Sequence, residues 1–312
     1  MVFGQDPLGL AEFKSRRSLV ALWKALLAEF IGTAILIYLG CGTATKSLML
    51  VEEQFKAMET GGSSNPKPPE KPIPAAVIHI SLAFGFTVTC IAVGLGHVSG
   101  GHVNPAVTVG FMTTGKIKIL RGLLYVLFQH LGAIVGAAVL EAGMPGTTNL
   151  GANKLVDANV VEGFTMELVA TFVLVLIVSG CSDPNRNDIK GSIPLIVGLT
   201  VAAGHLLTVG YTTCGINPAR SIAPIVVHPK YADKNLWIFI VAPYLGGIVG
   251  ASMYWFVFQA ADPNAAEEVK NKQPAMNSSE AHWDVARTGD DDASVVGDSS
   301  ANVAVVDSAG AS

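Results

Sequence analysis

Two stretches decide the fold: SGGHVNPAVTVG at residues 99–110 and CGINPARSIAP at residues 214–224. Each carries the tripeptide Asn-Pro-Ala, as Asn104-Pro105-Ala106 and as Asn217-Pro218-Ala219. Each lies in a long segment without Asp, Glu, Lys or Arg, from Pro72 to Gly115 and from Gly191 to Ala219. A polar Asn and a helix breaker ahead of an apolar run read as a helix start. Asn is a strong N-cap, and Pro is favoured at the first helical position because its missing N–H would be unpaired anyway. The pattern predicts two short helices that begin partway through a membrane, with free N–H groups and a positive dipole end aimed inward. Non-helical backbone at that depth is tolerated only where it is buried in protein or lines a water-filled cavity.

The rest of the chain fits that setting. Its 312 residues are 50% hydrophobic and 14% charged, against about 25% charged in soluble domains. Apolar blocks predict six spanning helices, at about 20–43, 76–96, 119–141, 161–181, 192–211 and 236–259. The half-helices occupy 105–113 and 218–227. Residues 1–19 form a polar N-terminal segment, and the apolar run after it reads as a span rather than a cleaved signal. Residues 46–75, with Gly61, Gly62 and five prolines, read as a long flexible loop. Residues 261–312 read as a disordered acidic tail, which from Asp262 onward holds ten acids and three bases. The four cysteines (Cys41, Cys90, Cys181, Cys214) show no CxxC spacing, so no disulfide framework, metal site or cofactor is expected. No basic run suggests nucleic acid.

The features recur in two halves, 20–142 and 160–260, of one domain spanning 20–260. Gly85, Thr87, Asn104 and Ala106 match Gly198, Thr200, Asn217 and Ala219, each displaced by 113 positions. Glu29/Thr33 matches Glu167/Thr171, and Gly132/Gly136 matches Gly246/Gly250. Three spans per half is an odd number, so the second half enters from the opposite side. The expected fold is an all-α membrane protein with two re-entrant half-helices in an inverted 3+3 repeat, its interrupted segments near the midplane. Nine Lys and Arg near short loops fall on one side, Lys14, Arg16, Arg17 and Lys116 among them, against Lys154, Lys230 and Lys234 on the other. Both termini are therefore expected to be cytoplasmic. Glu29 and Glu167 are expensive inside spans, and both read as structural carboxylates accepting backbone N–H bonds.

These residues resemble the aquaporins of the major intrinsic protein family over about 20–260. The two NPA motifs carry the resemblance, with AEFIGT, YVLFQHLGA and GHLLTVGYTTCGINPARS, and SDPNRNDIKGS gives it an arthropod-like character. The resemblance implies a passive water channel of the classical water-selective type in the plasma membrane, with water as permeant, the lipid bilayer as setting and a homotetramer as assembly. It implies that Phe84, His205, Cys214 and Arg220 form a narrow outer constriction, with Cys214 a mercurial-reactive candidate. The paired Asn104 and Asn217 amides would hold a passing water oxygen, and two dipole ends would repel cations. Arg220, costly in hydrocarbon, is expected to line water. His97 and His102 read as loop-packing residues. Ile225 and Ile240 depart from the family pattern, where water-selective relatives commonly have Ala and Trp. A channel that also passes glycerol, urea or hydrogen peroxide is the alternative within the family. A proton- or ion-coupled transporter, suggested by the buried acids, is the alternative outside it. No nucleophile–base pair with catalytic spacing points to an enzyme.

Overall fold

The computed structural model describes residues 6–47, 49–50, 74–144, 149–186, 188–189 and 191–262. The long loop expected at 46–75 and the tail expected from 261 lie almost wholly outside the described residues. Helix α1 (Arg16–Leu36) runs on through a wider π-turn (Ile37–Cys41), and α2 is Pro74–Ser99. The short α3 is Pro105–Thr113, followed by α4 (Ile119–Gly143), α5 (Val160–Cys181) and α6 (Ile193–Thr212). The short α7 is Pro218–Val227, and α8 (Ile238–Met253) ends in a second π-turn (Tyr254–Phe258). Six of these segments are long and apolar enough to cross a membrane, and no strand occurs among the described residues. The expected spans are within a few residues of the observed ones.

Local chemistry sets the helix starts. Ser15 caps α1 by accepting the Ser18 N–H, and Asn159 opens α5 with a full capping box closed by Glu162. The paired glycines then decide which helices touch. A Cβ on Gly132 would lie 2.1 Å from the Phe30 carbonyl oxygen, and one on Gly136 would lie 2.4 Å from that of Ala34. These two glycines let α4 lie against α1. Gly246 and Gly250 do the same for α8 on α5, with Leu168 and Phe172 oxygens at 2.3 and 2.5 Å. The halves meet where Gly85 of α2 and Gly198 of α6 abut each other's backbone, at 2.7 and 2.5 Å. All three contacts are small-xxx-small or glycine-on-glycine packing, the usual solution where lipid gives no hydrophobic drive between helices.

The outward faces stay apolar, with Trp23, Phe86, Val93, Leu207 and Phe256 exposed. A surface that apolar calls for a lipid surround. Gly132→Ala is expected to lower thermal stability in detergent by about 1–3 kcal/mol, the usual overpacking cost. Gly143→Ala, where a Cβ meets nothing within 4 Å, is the control. Equal melting temperatures for the two variants would contradict this packing.

On the face that carries the N-terminus, Asp183 gathers three donors. They are the N–H groups of Asn185 (3.0 Å) and Ala260 (2.9 Å) and the Tyr254 hydroxyl (2.9 Å). Burial pushes the Asp183 carboxyl up, but these hydrogen bonds and nearby Lys116 outweigh it and hold the group below the ordinary carboxylate range. The connector after α5 is thereby fastened to the end of α8.

Candidate pore

Each short helix starts at its Asn. Asn104 (φ −150°, ψ 118°) and Asn217 (φ −150°, ψ 108°) sit in extended backbone directly before a Pro at the first helical position. The Asn104 side-chain oxygen accepts the Ala106 N–H at 2.9 Å, and that of Asn217 accepts from Ala219 and Arg220 at 3.1 and 3.2 Å. The amide nitrogens reach across the repeat. Asn104 Nδ2 donates to the Ile216 carbonyl and Asn217 Nδ2 to the Val103 carbonyl, both at 2.9 Å. The two half-helices therefore meet end to end, each cap bonded to the loop that precedes the other. Each amide has two hydrogens, and this bond uses one. Both Asn side chains line a cavity of about 290 Å³, so the second hydrogen of each is available to a molecule inside it.

The loops before the half-helices are unusual and repeated. Gly100, Gly101 and Val103 have φ of 95°, 63° and 41°, and Thr213, Cys214 and Ile216 have φ of 56°, 54° and 44°. These positions are again 113 apart. The left-handed turns put loop backbone on the cavity wall, where Gly101, Val103, Gly215 and Ile216 all appear. In the second copy the conformation falls entirely on residues with side chains, at a cost. A buried acid holds each loop in place. Glu29 accepts from Ser99 Oγ (2.7 Å), His102 N (3.0 Å), Val103 N (2.7 Å) and Gln129 Nε2 (2.8 Å). Glu167 accepts from Thr212 Oγ1 (2.6 Å), Gly215 N (2.8 Å) and Ile216 N (2.7 Å). His102/Val103 and Gly215/Ile216 are the same repeat positions, so the two acids do the same work.

Phe84, His205 and Arg220 lie together on the cavity wall. The Phe84 and His205 rings stack at 4.3 Å with 23° between their planes, and Arg220 Cζ lies 5.4 Å from the Phe84 ring centre. His205 Nδ1 lies 2.9 Å from the Val201 carbonyl. A carbonyl only accepts, so Nδ1 carries the hydrogen, and Nε2 of the neutral ring is an acceptor. It has no protein partner. Arg220 donates from one terminal nitrogen to the Gly151 carbonyl at 2.6 Å, while its buried Nε has no partner. This cluster thus combines one unpaired acceptor, one unpaired donor and an aromatic face, which suits a molecule that both donates and accepts.

Five of the expected site residues, Phe84, Asn104, His205, Asn217 and Arg220, line this one cavity. Pro105, Ala106, Pro218 and Ala219 are buried in the half-helix starts. Cys214, fully buried like them, is not among the lining residues. Ile225 and Ile240 are half-buried and off the wall. His102, read above as a loop-packing residue, lines the cavity instead. It lies 3.1 Å from Thr108 Oγ1 and edge-on to Phe111 and Tyr125. The repeat offset would have found it, because its partner 113 positions on is Gly215, also on the wall. The Gly151 carbonyl that anchors Arg220 had no signal, since a loop carbonyl leaves no mark in residue type. Val107, Phe111, Val178 and Ser182 also line the cavity.

Comparison with known proteins agrees with this architecture. The family model described as Major intrinsic protein matches residues 16–254. The chain is 37% identical to Aquaporin FA-CHIP of Pelophylax lessonae and 36% identical to human Aquaporin-1, in both cases over 83% of this chain and 90% of the relative. It is 38% identical to mouse Aquaporin-4 over 76% of this chain and 68% of that protein. Among solved structures, the aquaglyceroporin from Plasmodium falciparum shares the fold at a TM-score of 0.61, with 21% identity, over 76% of this chain and 96% of that one. With its paired half-helices, inverted repeat and a family match that covers most of its length, the chain belongs to the major intrinsic protein family.

Proposed function

We propose that this chain is a passive water channel that passes water in single file and excludes protons at the paired NPA motifs. The observation that carries the reading is the meeting of Asn104 and Asn217 on one cavity wall, each with an amide hydrogen left for the permeant. A water whose oxygen accepts both hydrogens has its lone pairs engaged and cannot take a proton from its neighbour. The two half-helix ends add positive potential at that point, which disfavours hydronium and other cations. Phe84, His205 and Arg220 act as the width and polarity filter ahead of it. The proton-coupled alternative fits less well, because the Glu29 and Glu167 carboxylates are fully buried and engaged by loop donors. Stopped-flow shrinkage of proteoliposomes tests the reading. Sucrose should drive rapid water loss, and an imposed glycerol gradient should not dissipate faster than in empty vesicles. Water loss at the empty-vesicle rate would refute conduction.

The channel is further proposed to reside in the plasma membrane as a homotetramer with both termini cytoplasmic. The family relationship supports the assembly, and the Lys/Arg asymmetry of the short loops supports the orientation. A tag inserted within 61–66 is expected to bind antibody on intact cells, and a tag after Ser312 only on permeabilised ones. The reverse pattern would overturn the orientation.

A further inference from the structure

Residues 6–17 form a built ledge on the face that carries the N-terminus. The Asp6 carboxylate accepts N–H bonds from Gly9, Leu10 and Ala11 at 3.0, 3.0 and 2.9 Å, closing the single turn Leu10–Phe13. The Ala11 bond foremost, with those from Leu10 and Gly9, holds this carboxyl below its ordinary range. The Pro7 and Leu8 carbonyls accept the N–H groups of Ile119 and Leu120 at 3.3 and 3.2 Å. Two donors left over at the start of α4 are thereby satisfied. Glu12 pairs with Arg121 at 2.8 Å.

Docked this way, the ledge turns Leu8, Leu10 and Phe13 outward, at 48%, 53% and 37% exposure. Lys14, Arg16 and Arg17 follow, all exposed, with no ion pair to any of them among the described residues. Glu12, two residues before Lys14, is already held by Arg121. The position in the fold names the occupant. The first spanning helix begins at Arg16, so the ledge lies where span meets water. It leads directly into α1, whose first turns also expose Val20, Trp23 and Leu27. An exposed apolar segment that leads into a span and carries free cations at its rim matches a leaflet with negative headgroups.

We propose that this ledge is a binding site for anionic phospholipid. Leu8, Leu10 and Phe13 lie among the upper acyl chains, and Lys14, Arg16 and Arg17 engage the headgroup charges. The assignment to the cytoplasmic leaflet rests on the orientation proposed above; the binding itself does not.

The test reconstitutes the full chain in vesicles of phosphatidylcholine with phosphatidylserine in both leaflets. Electron paramagnetic resonance of spin-labelled lipid measures the protein-restricted fraction of each headgroup. At low salt the parent is expected to prefer phosphatidylserine about fivefold or more, given three basic residues at the surface. The preference should fall toward parity in 500 mM salt, roughly a 4 Å Debye length. Lys14→Gln/Arg16→Gln/Arg17→Gln should lose most of it while keeping the parent's water flux, since Gln matches Lys and Arg in helix propensity. No preference in the parent at low salt would overturn the proposal without recourse to any variant. So would a triple variant that selects phosphatidylserine as the parent does. A variant with unchanged lipid selection but altered oligomer size would assign the face to a second copy and likewise overturn it. Symmetric leaflets make the outcome independent of orientation, so a wrong topology and a wrong lipid site give different results.

Discussion

Glu167→Ala is expected to eliminate most folded, conducting channel. The substitution leaves the Gly215 and Ile216 N–H groups without their acceptor in a buried site, and leaves the Thr212 hydroxyl only its longer bond to the Thr208 carbonyl at 3.3 Å. An orphaned buried donor costs about 1–3 kcal/mol, so two cost about 2–6 kcal/mol, a large share of the roughly 5–15 kcal/mol that holds a fold together. The loss falls on a loop that already carries left-handed backbone at Thr213, Cys214 and Ile216. Glu29→Ala removes the acceptor of four donors at the matching place in the first half and should be as damaging. Glu167→Gln should be milder, because one acceptor oxygen survives while the new amide faces a backbone N–H. Thermal melts in detergent and water flux per reconstituted protein measure both effects. A proton-coupled carboxylate would behave differently: Glu167→Gln would abolish transport in a protein as stable as the parent. That result, or a Glu167→Ala protein that conducts normally, would sink the structural role given to these acids.

The second large effect separates the proposed solute filter from the proposed proton barrier, which draw on different residues. Phe84 and His205 supply bulk on the cavity wall, stacked on one another with Arg220 near the Phe84 ring. Phe84→Ala/His205→Ala removes both rings and keeps the positive charge, the Asn pair and both half-helix ends. Glycerol and urea permeability are expected to rise at least about tenfold, the scale of a barrier change of 1.4 kcal/mol. Proton conductance should stay low. Adding Arg220→Val removes a full charge from a low-dielectric passage, where charge effects exceed those in bulk water, and should begin to admit cations. Glycerol-driven swelling and a pH-dye response are read in the same vesicles. A double variant that still excludes glycerol would place the filter elsewhere.

The sequence shows the architecture clearly because its periodic signals are physical. Six apolar blocks match six membrane-length helices. The glycine pairs four apart mark the helix contacts, since Gly132 and Gly246 face backbone oxygens at 2.1 and 2.3 Å. The NPA starts at Pro105 and Pro218 are the observed first residues of the short helices. Less legible were features made by backbone. The left-handed turn at Thr213 and Cys214 has no glycine to announce it, although the first copy does at Gly100 and Gly101. The seat of Arg220 is a carbonyl at Gly151, 69 positions away. His102 looked like packing because a histidine beside aromatics usually is packing, and only the repeat register sets it on the wall. Cys214 shows the opposite limit: its place in the motif suggests the mouth, yet it is not among the residues that line the cavity.

The central claim, water passage without proton passage at the Asn104/Asn217 junction, is tested most directly by measuring both fluxes in one preparation. Proteoliposomes loaded with a pH dye receive an osmotic step and then a proton gradient under a potassium clamp. The account predicts water permeability at least about tenfold above empty vesicles, again a barrier change of 1.4 kcal/mol, with a dye response no faster than theirs. Proton flux that rises with protein content alongside water flux would contradict it.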